Sequence, residues 1–367
     1  MKKIAFLFLF LTLLALKSSL AQGCGDSPKG EGAQVIGFIQ PQFDYNFHGQ
    51  DAKGNSLNTS TFKFNRARIG VTGAIPYDFE YYVMLETSPF ISAGGNPYLL
   101  DAFVTYKRLG HWAKLSFGSF KSPISLELNT PCNALYTINR SKVVDDLTTP
   151  NRDIGFMVSG GSDSLTIFGI PTYNFLKYSF AYTNGTGLSI ADKNRAKNIA
   201  GRIIISPWDF LSVGASYLSG NQRDADSLNI NVDKRTRYGF DAEFKMKNLV
   251  VQAEYLYGSD DGAFTTGGGC GGGGVTYPGP ITRAGYVVMA AYMFPMRLQP
   301  VLKYSSYDTD LKTDNDPVFD VNATTTFGLN YFFNDWTRLQ INYCMNTEDI
   351  LSVKNDILAV QMQIKIK

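Results

Sequence analysis

Along the chain, apolar and polar side chains alternate in segments of roughly ten to twelve residues, the period of two that belongs to strands rather than helices. Sixteen such segments can be laid out: 35–46, 62–75, 78–88, 98–108, 113–122, 152–160, 175–184, 197–206, 210–219, 235–246, 249–259, 281–293, 298–309, 322–333, 336–347 and 355–367. In "TRYGFDAEFKMK" Tyr238, Phe240, Ala242, Phe244 and Met246 share one face, and Arg237, Asp241, Glu243 and Lys245 the other. "TRLQINYCMN" separates Leu339, Ile341, Tyr343 and Met345 from Arg338, Gln340, Asn342, Cys344 and Asn346.

The connections carry further information. Those after even segments are mostly short, as in Pro76-Tyr77, "LGHW", "PWD", "KN", "FPMR" and "ND", whereas those after odd segments are longer. The connection "GSDSLTIFGIPTYN" (161–174) is the exception, and either extends a hairpin or holds an extra strand pair. A soluble sandwich also spaces its strands regularly, but gives turn length no reason to follow parity. Short–long alternation over an even number of strands predicts an all-β fold, a transmembrane antiparallel β-barrel of sixteen strands with short periplasmic turns and long outer loops. The three tryptophans, Trp112, Trp208 and Trp336, all fall at short turns, with Phe79, Phe210, Phe294 and Phe333 near the same end, as a membrane-interface girdle requires.

The pleat then assigns the faces. In "FNRARIGVTGAIPYDFEYYVMLE" Arg66 and Arg68 point one way while Ala67, Ile69, Val71 and Ile75 point the other. A charge facing hydrocarbon at the bilayer midplane costs about 2–4 kcal/mol, so the arginines face a wet lumen. The same parity makes Arg66, Arg68, Lys107, Lys114, Arg202, Arg237, Lys303 and Arg338 the candidate pore-lining cations, with Lys177, Arg235, Lys245, Arg283 and Lys365 beside them. The inward acids are Asp44, Glu80, Glu86, Asp101, Asp241, Glu243 and Glu254. An excess of fixed cations favours anions in a pore; the plainer alternative is that mixed charges brace the wall.

The N-terminus changes the cellular picture. Lys2 and Lys3, an apolar run from Ile4 to Leu16, and small residues Ser19 and Ala21 predict a secretory signal peptide over 1–21, cleaved near Ala21. A lipoprotein-type reading of "LAQGC" at Cys24 is the rival. A short tail (22–34) then precedes the barrel (35–367), and leaves no room for a plug domain. Removing the leader takes three lysines from 34 basic side chains, one fewer than the 32 acidic, so bulk charge points to no nucleic acid. Tyr and Phe are plentiful, at 21 and 26, beside 2 His. His48 and His111 fall at opposite ends of the wall, which argues against catalysis. Cys24, Cys132, Cys270 and Cys344 form no C-x-x-C pair, so no metal or cofactor is expected. Cys132 and Cys270, both in loops, are the candidate disulfide, with free thiols as the simpler state. The glycine-rich "TTGGGCGGGGVTYPGP" lacks the Lys-Ser/Thr of a phosphate-binding loop and reads as a flexible outer loop.

One connection stands apart. The stretch 123–151, from "PISLELNTPCNALYTINR" to "SKVVDDLTTPN", follows strand five and is too long for a simple link. It is the candidate inward-folded constriction loop, with Lys121, Arg140, Lys142, Asp145 and Asp146 as eyelet residues; an ordinary surface loop is the alternative.

At "FKFNRARIGVTGAIPYDFEYYVMLE", "LLDAFVTYKRLGHWAKLSFGSFKSPISLE", "NRDIGFMVSGG" and "LKYSFAYTNGTG" the chain resembles the phosphate-selective porin O and P family. The landmarks are the Arg-x-Arg strand, Gly118-x-Phe120-Lys121-x-Pro123 and Arg152-Asp153-Ile154-Gly155, spread over roughly 35–190. The resemblance implies a homotrimeric sixteen-stranded barrel in outer-membrane lipid of a Gram-negative cell, passing small hydrophilic solutes, and anions such as phosphate through arginine and lysine rows. The lumenal acids and the terminal Lys367, where many such barrels carry an aromatic, depart from that pattern. The expected function is a passive porin with weak anion preference. The alternatives are a non-selective or sugar-permissive channel, or a closed barrel serving adhesion or envelope assembly.

Overall fold

The computed structural model describes residues 32–366, apart from 52, 77, 93–94, 168–169, 189–191, 193–194, 222–233, 262–263, 267–274, 278–279, 313–320 and 351–352. The expected leader 1–21, most of the tail, Cys24, Tyr77, Cys270 and the glycine run 267–274 lie outside the described residues.

Sixteen strands follow in chain order: β1 Gly32–Asn46, β2 Thr59–Ile75, β3 Phe79–Glu86, β4 Tyr98–Tyr106, β5 Lys114–Lys121, β6 Arg152–Gly161, β7 Leu176–Thr183, β8 Asn198–Trp208, β9 Leu211–Asn221, β10 Lys234–Met246, β11 Leu249–Asp260, β12 Ile281–Tyr292, β13 Leu298–Asp308, β14 Val321–Phe332, β15 Thr337–Glu348 and β16 Ile357–Ile366. Each pairs antiparallel with the next, and β16 returns to β1, from Gly37 opposite Ile366 to Asn46 opposite Ile357. Closure leaves no open edge, which hydrocarbon requires because nothing there can satisfy a bare N–H or C=O. The 161–174 stretch does hold an extra strand pair, Ser164–Ile167 with Ile170–Tyr173, standing outside the barrel sheet.

Alternation sorts the wall. Phe117, Phe240 and Phe327 are more than half exposed on the outer face, while Arg237, Glu254 and Asn330 are buried inside. Tyr217, Tyr238 and Tyr257 stand opposite one another on β9, β10 and β11, with ring centroids 5.2 and 6.1 Å apart. At the short-turn end Trp208 stacks on Phe210 at 5.7 Å, and Phe79 lies 5.2 Å from Tyr106. Amphipathic rings at both rims suit two headgroup layers.

Two details depart from simple parity. Gln40 pairs with Arg66 but Pro41 with Phe64, so Asn65 is an extra residue on β2. Proline cannot donate to the ladder and tolerates such a bulge. Uninterrupted alternation would have turned Phe62 and Phe64 inward. The bulge instead puts Phe62 on the outer face and Lys63 against Asp44 at 2.6 Å. Ala67, expected outside, is buried: Thr87 donates to its carbonyl, and its N–H donates to Glu86 at 3.0 Å.

The lumen also differs from a purely polar one. Segment 122–151, which includes helices α1 Leu126–Asn129 and α2 Lys142–Leu147, brings an apolar face of its own. Ile124, Leu128, Val143, Val144 and Leu147 pack against inward Phe38, Met84, Leu256, Val287 and Tyr307. Those wall positions are apolar because they meet the loop rather than water.

Candidate pore lining and constriction

Three residues before the loop leaves β5, Gly118 adopts φ +127; a Cβ there would lie 2.1 Å from the Ala102 carbonyl oxygen, so only glycine fits. Ser125 caps α1, its hydroxyl accepting from Leu128 N at 3.0 Å. The wall holds the same turn: Glu254 on β11 accepts from the N–H groups of Leu126 and Glu127 at 2.9 and 3.0 Å. Glu127 in turn accepts from Lys303 at 3.0 Å and from Ser141 N at 3.0 Å. Burial opposes its ionisation, but Lys303 and these bonds hold its carboxyl below the usual carboxylate range.

The middle of the loop lies on a belt of carboxamides. Gln40 donates to Gln363, Asn65 and Gln340 share Gln361, and Asn330 links Gln340 to Gln299. The belt therefore crosses β1, β2 and β13 to β16, and its glutamines and Asn330 are buried. It grips loop backbone: Asn330 donates to Tyr136 O, Gln363 to Asn133 O, and Asn342 accepts from Ile138 N at 2.7 Å. Across the lumen Arg237 donates to Leu147 O at 2.9 Å and Arg235 to Thr149 O at 2.7 Å. The segment is thus hydrogen-bonded to wall residues on both sides.

The inward cations occupy distinct settings. Arg68 is buried against Glu86 at 2.6 Å and donates to Cys132 Sγ at 3.0 Å. Arg202 takes Asp241 with two bonds of 2.6 and 2.8 Å. Lys303 pairs with Glu127, and Lys107 with Glu80 at 3.3 Å. Lys114 begins β5 at the short-turn end, half-buried. Arg235, Arg237 and Arg283 converge on Asp260, at 3.4, 2.8 and 2.5 Å. Asp260 lies one residue past the strand end expected from sequence, and so falls outside the inward acids that alternation assigns. Arg66 and Arg338 have no carboxylate partner among the described residues; they bond Gln40 and Gln363 and the loop carbonyls of Ile138 and Asn133.

The five eyelet candidates also divide. Lys121 is buried at the loop's root. Arg140 braces the loop itself, donating to the carbonyls of Glu127, Leu128 and Thr130. Lys142 is exposed, 2.7 Å from the mostly buried Asp146. Asp145 opens to the water path but is ringed by protein, and that enclosure pushes its carboxyl up to about 6. Cys132 is buried, its Sγ accepting from Arg68 and Arg140 at 3.0 and 3.4 Å, and its suggested partner Cys270 is outside the described residues.

Comparison with known proteins agrees with this architecture. The anion-selective porin from Comamonas acidovorans shares 12% identity, with 91% of this chain and 99% of that one covered at a TM-score of 0.65. The Salmonella typhi OmpF, solved in complex with daunomycin, shares 15% identity over 92% and 98% of the two chains, with a TM-score of 0.66. The outer-membrane channel DcaP of Acinetobacter baumannii shares 13% identity, covering 93% and 99% with a TM-score of 0.61. At these identities the likeness speaks for the fold. No curated protein matches by sequence. The family model for phosphate-selective porin O and P matches residues 38–366, reaching well beyond the landmarks of the N-terminal half. With nearly the whole barrel matched, the chain belongs to the phosphate-selective porin O and P family, as an outer-membrane porin of Gram-negative type.

Proposed function

We propose that the barrel is a passive diffusion pore with a weak preference for anions such as phosphate, narrowed by segment 122–151. The observation that carries this reading is the imbalance of charge inside the wall. Arg68, Lys107, Arg202, Lys245 and Lys303 each have a carboxylate of their own, but Asp260 serves three arginines, and Arg66 and Arg338 hydrogen-bond only amide and carbonyl partners. The surplus positive charge lies where the loop meets the wall, and in a narrow water path of low dielectric it repels cations most strongly there. Short turns face the periplasm and the long loops face outward. Cleavage after Ala21 and assembly as a homotrimer complete the proposal. One structural neighbour, the in-vitro-folded OmpT of Vibrio cholerae, was solved in a trimer form, which supports the latter.

Planar-bilayer recording of the purified protein tests the reading. Discrete conductance steps with a reversal potential on the anion side in a salt gradient are expected. A lumen that carries no current would favour an adhesion or assembly role. Zero reversal potential would leave a non-selective pore, open equally to neutral sugars.

A further inference from the structure

We infer that the short-turn mouth of the lumen holds a binding site for small aromatic monocarboxylates, distinct from the phosphate preference of the pore as a whole; this rests on the channel reading above. A cavity of about 170 Å³ lies under the loop, between the β14–β15 turn and the end of β16.

Its chemistry is mixed in a specific way. Arg338 lines it at 5% exposure; its Nε is sealed from solvent, and its Nη1 makes no hydrogen bond among the described residues. Its Nη2 is held by Asn133 O at 3.2 Å and by Gln363 Oε1 at 3.0 Å, which fixes the guanidinium plane. No acid neutralises it among the described residues. A buried guanidinium with Nη1 hydrogens to spare suits a carboxylate, which takes a charge-assisted hydrogen bond from it. Lys365 lies on the same wall and adds to the positive field.

The remaining lining selects the body that carries the charge. Phe332, with Arg338 5.9 Å from its ring centroid, Trp336 and Tyr136 line the space beside the guanidinium. Three rings offer nothing to a compact, fully hydrated phosphate, whereas a flat apolar ring gains by displacing water from them. Asp335 stands in the lining too, and a second negative charge on the ligand would be repelled by it. A single carboxylate on one aromatic ring meets all three conditions, and the volume accommodates such a molecule. At the periplasmic mouth, such a site would retain organic acids as they leave the constriction.

The test uses the full detergent-solubilised barrel, titrated with benzoate and followed by tryptophan emission, since Trp336 is in the lining and only two other tryptophans contribute background. A saturable response is expected, about tenfold or more weaker in Arg338→Gln and in Phe332→Ala, and undisturbed by equimolar phosphate. Far-UV circular dichroism and heat-modified gel mobility show that each variant is folded; Phe332→Ala serves if Arg338→Gln does not fold. A wild-type protein without a saturable response, a response within twofold of wild type in a folded variant, or displacement by equimolar phosphate would overturn the inference. Bilayer recordings of the same preparation separate the two readings: conductance steps without benzoate binding remove only this site, while benzoate binding without steps removes the channel.

Discussion

Arg237 Nη2 sits 2.8 and 2.9 Å from the two carboxylate oxygens of Asp260, with both side chains almost wholly out of solvent. Arg283 reaches the same carboxylate at 2.5 Å and Arg235 at 3.4 Å, so one acid underwrites three guanidiniums. Asp260→Asn strands that cluster, and loss of one partner from a buried ion pair typically costs about 3–5 kcal/mol. A lowered denaturant midpoint in detergent, read by tryptophan emission, is the expected result. An unchanged midpoint would mean that water already screens the triad.

Arg66 and Arg68 are neighbours in the strand but not in effect. Arg66→Gln and Arg338→Gln remove cations that have no carboxylate in ion-pair contact among the described residues, and should each move the reversal potential toward zero. Arg68→Gln removes one half of a buried pair with Glu86, and should reduce stability while leaving the reversal potential nearer that of wild type. Equal selectivity loss in all three variants would contradict this division.

Selectivity should depend on pH through Asp145. With its carboxyl raised to about 6 by enclosure, it is charged at pH 7.5 and largely neutral at pH 5. Acidification therefore adds net positive charge to the loop's free edge, and the anion preference should rise over that interval. The same shift makes ionisation unfavourable to the folded state, so this group's contribution to stability falls as pH rises from about 4 to about 6. Reversal potentials recorded at both pH values should differ for the wild type and converge for Asp145→Asn.

Glu254 pins the first turn of α1 through two backbone N–H groups. Hydrogen bonds to a charged group are worth about 1.5–3 kcal/mol each, and Glu254→Gln keeps the shape while weakening both. Noisier open-channel current, with little change in selectivity, is the expected signature of a loosened loop. A quiet trace would show that the carboxamide belt alone suffices to seat it.

The barrel was legible because a membrane wall imposes one rule on every strand: successive side chains meet hydrocarbon and water in turn, and turn length reports the side of the membrane. Charge on Arg66, Arg202, Arg237, Lys303 and Arg338 betrayed the inner face for the same reason. What eluded sequence reasoning depends on register. Asn65 carries no mark of being an inserted residue, so the outward turn of Phe62 was hidden. The meeting of Asp260 with three arginines joins β10, β11 and β12 and needs their alignment. Inward Phe38, Met84 and Val287 look like lapses in alternation until the loop's own valines and leucines are seen against them. The neutral Gln and Asn belt gave a weaker signal still, since carboxamides in a lumen are as easily read as solvated.

That belt straddles the seam at which the first and last strands of the barrel meet. Gln361 and Gln363, on the final strand, reach Asn65 across the seam and Asn133 in the loop. Until the C-terminal strand arrives, the cylinder has a gap and the inner segment lacks part of its mooring. Zipping the chain's two ends together therefore completes the vessel and seats its internal baffle in a single event.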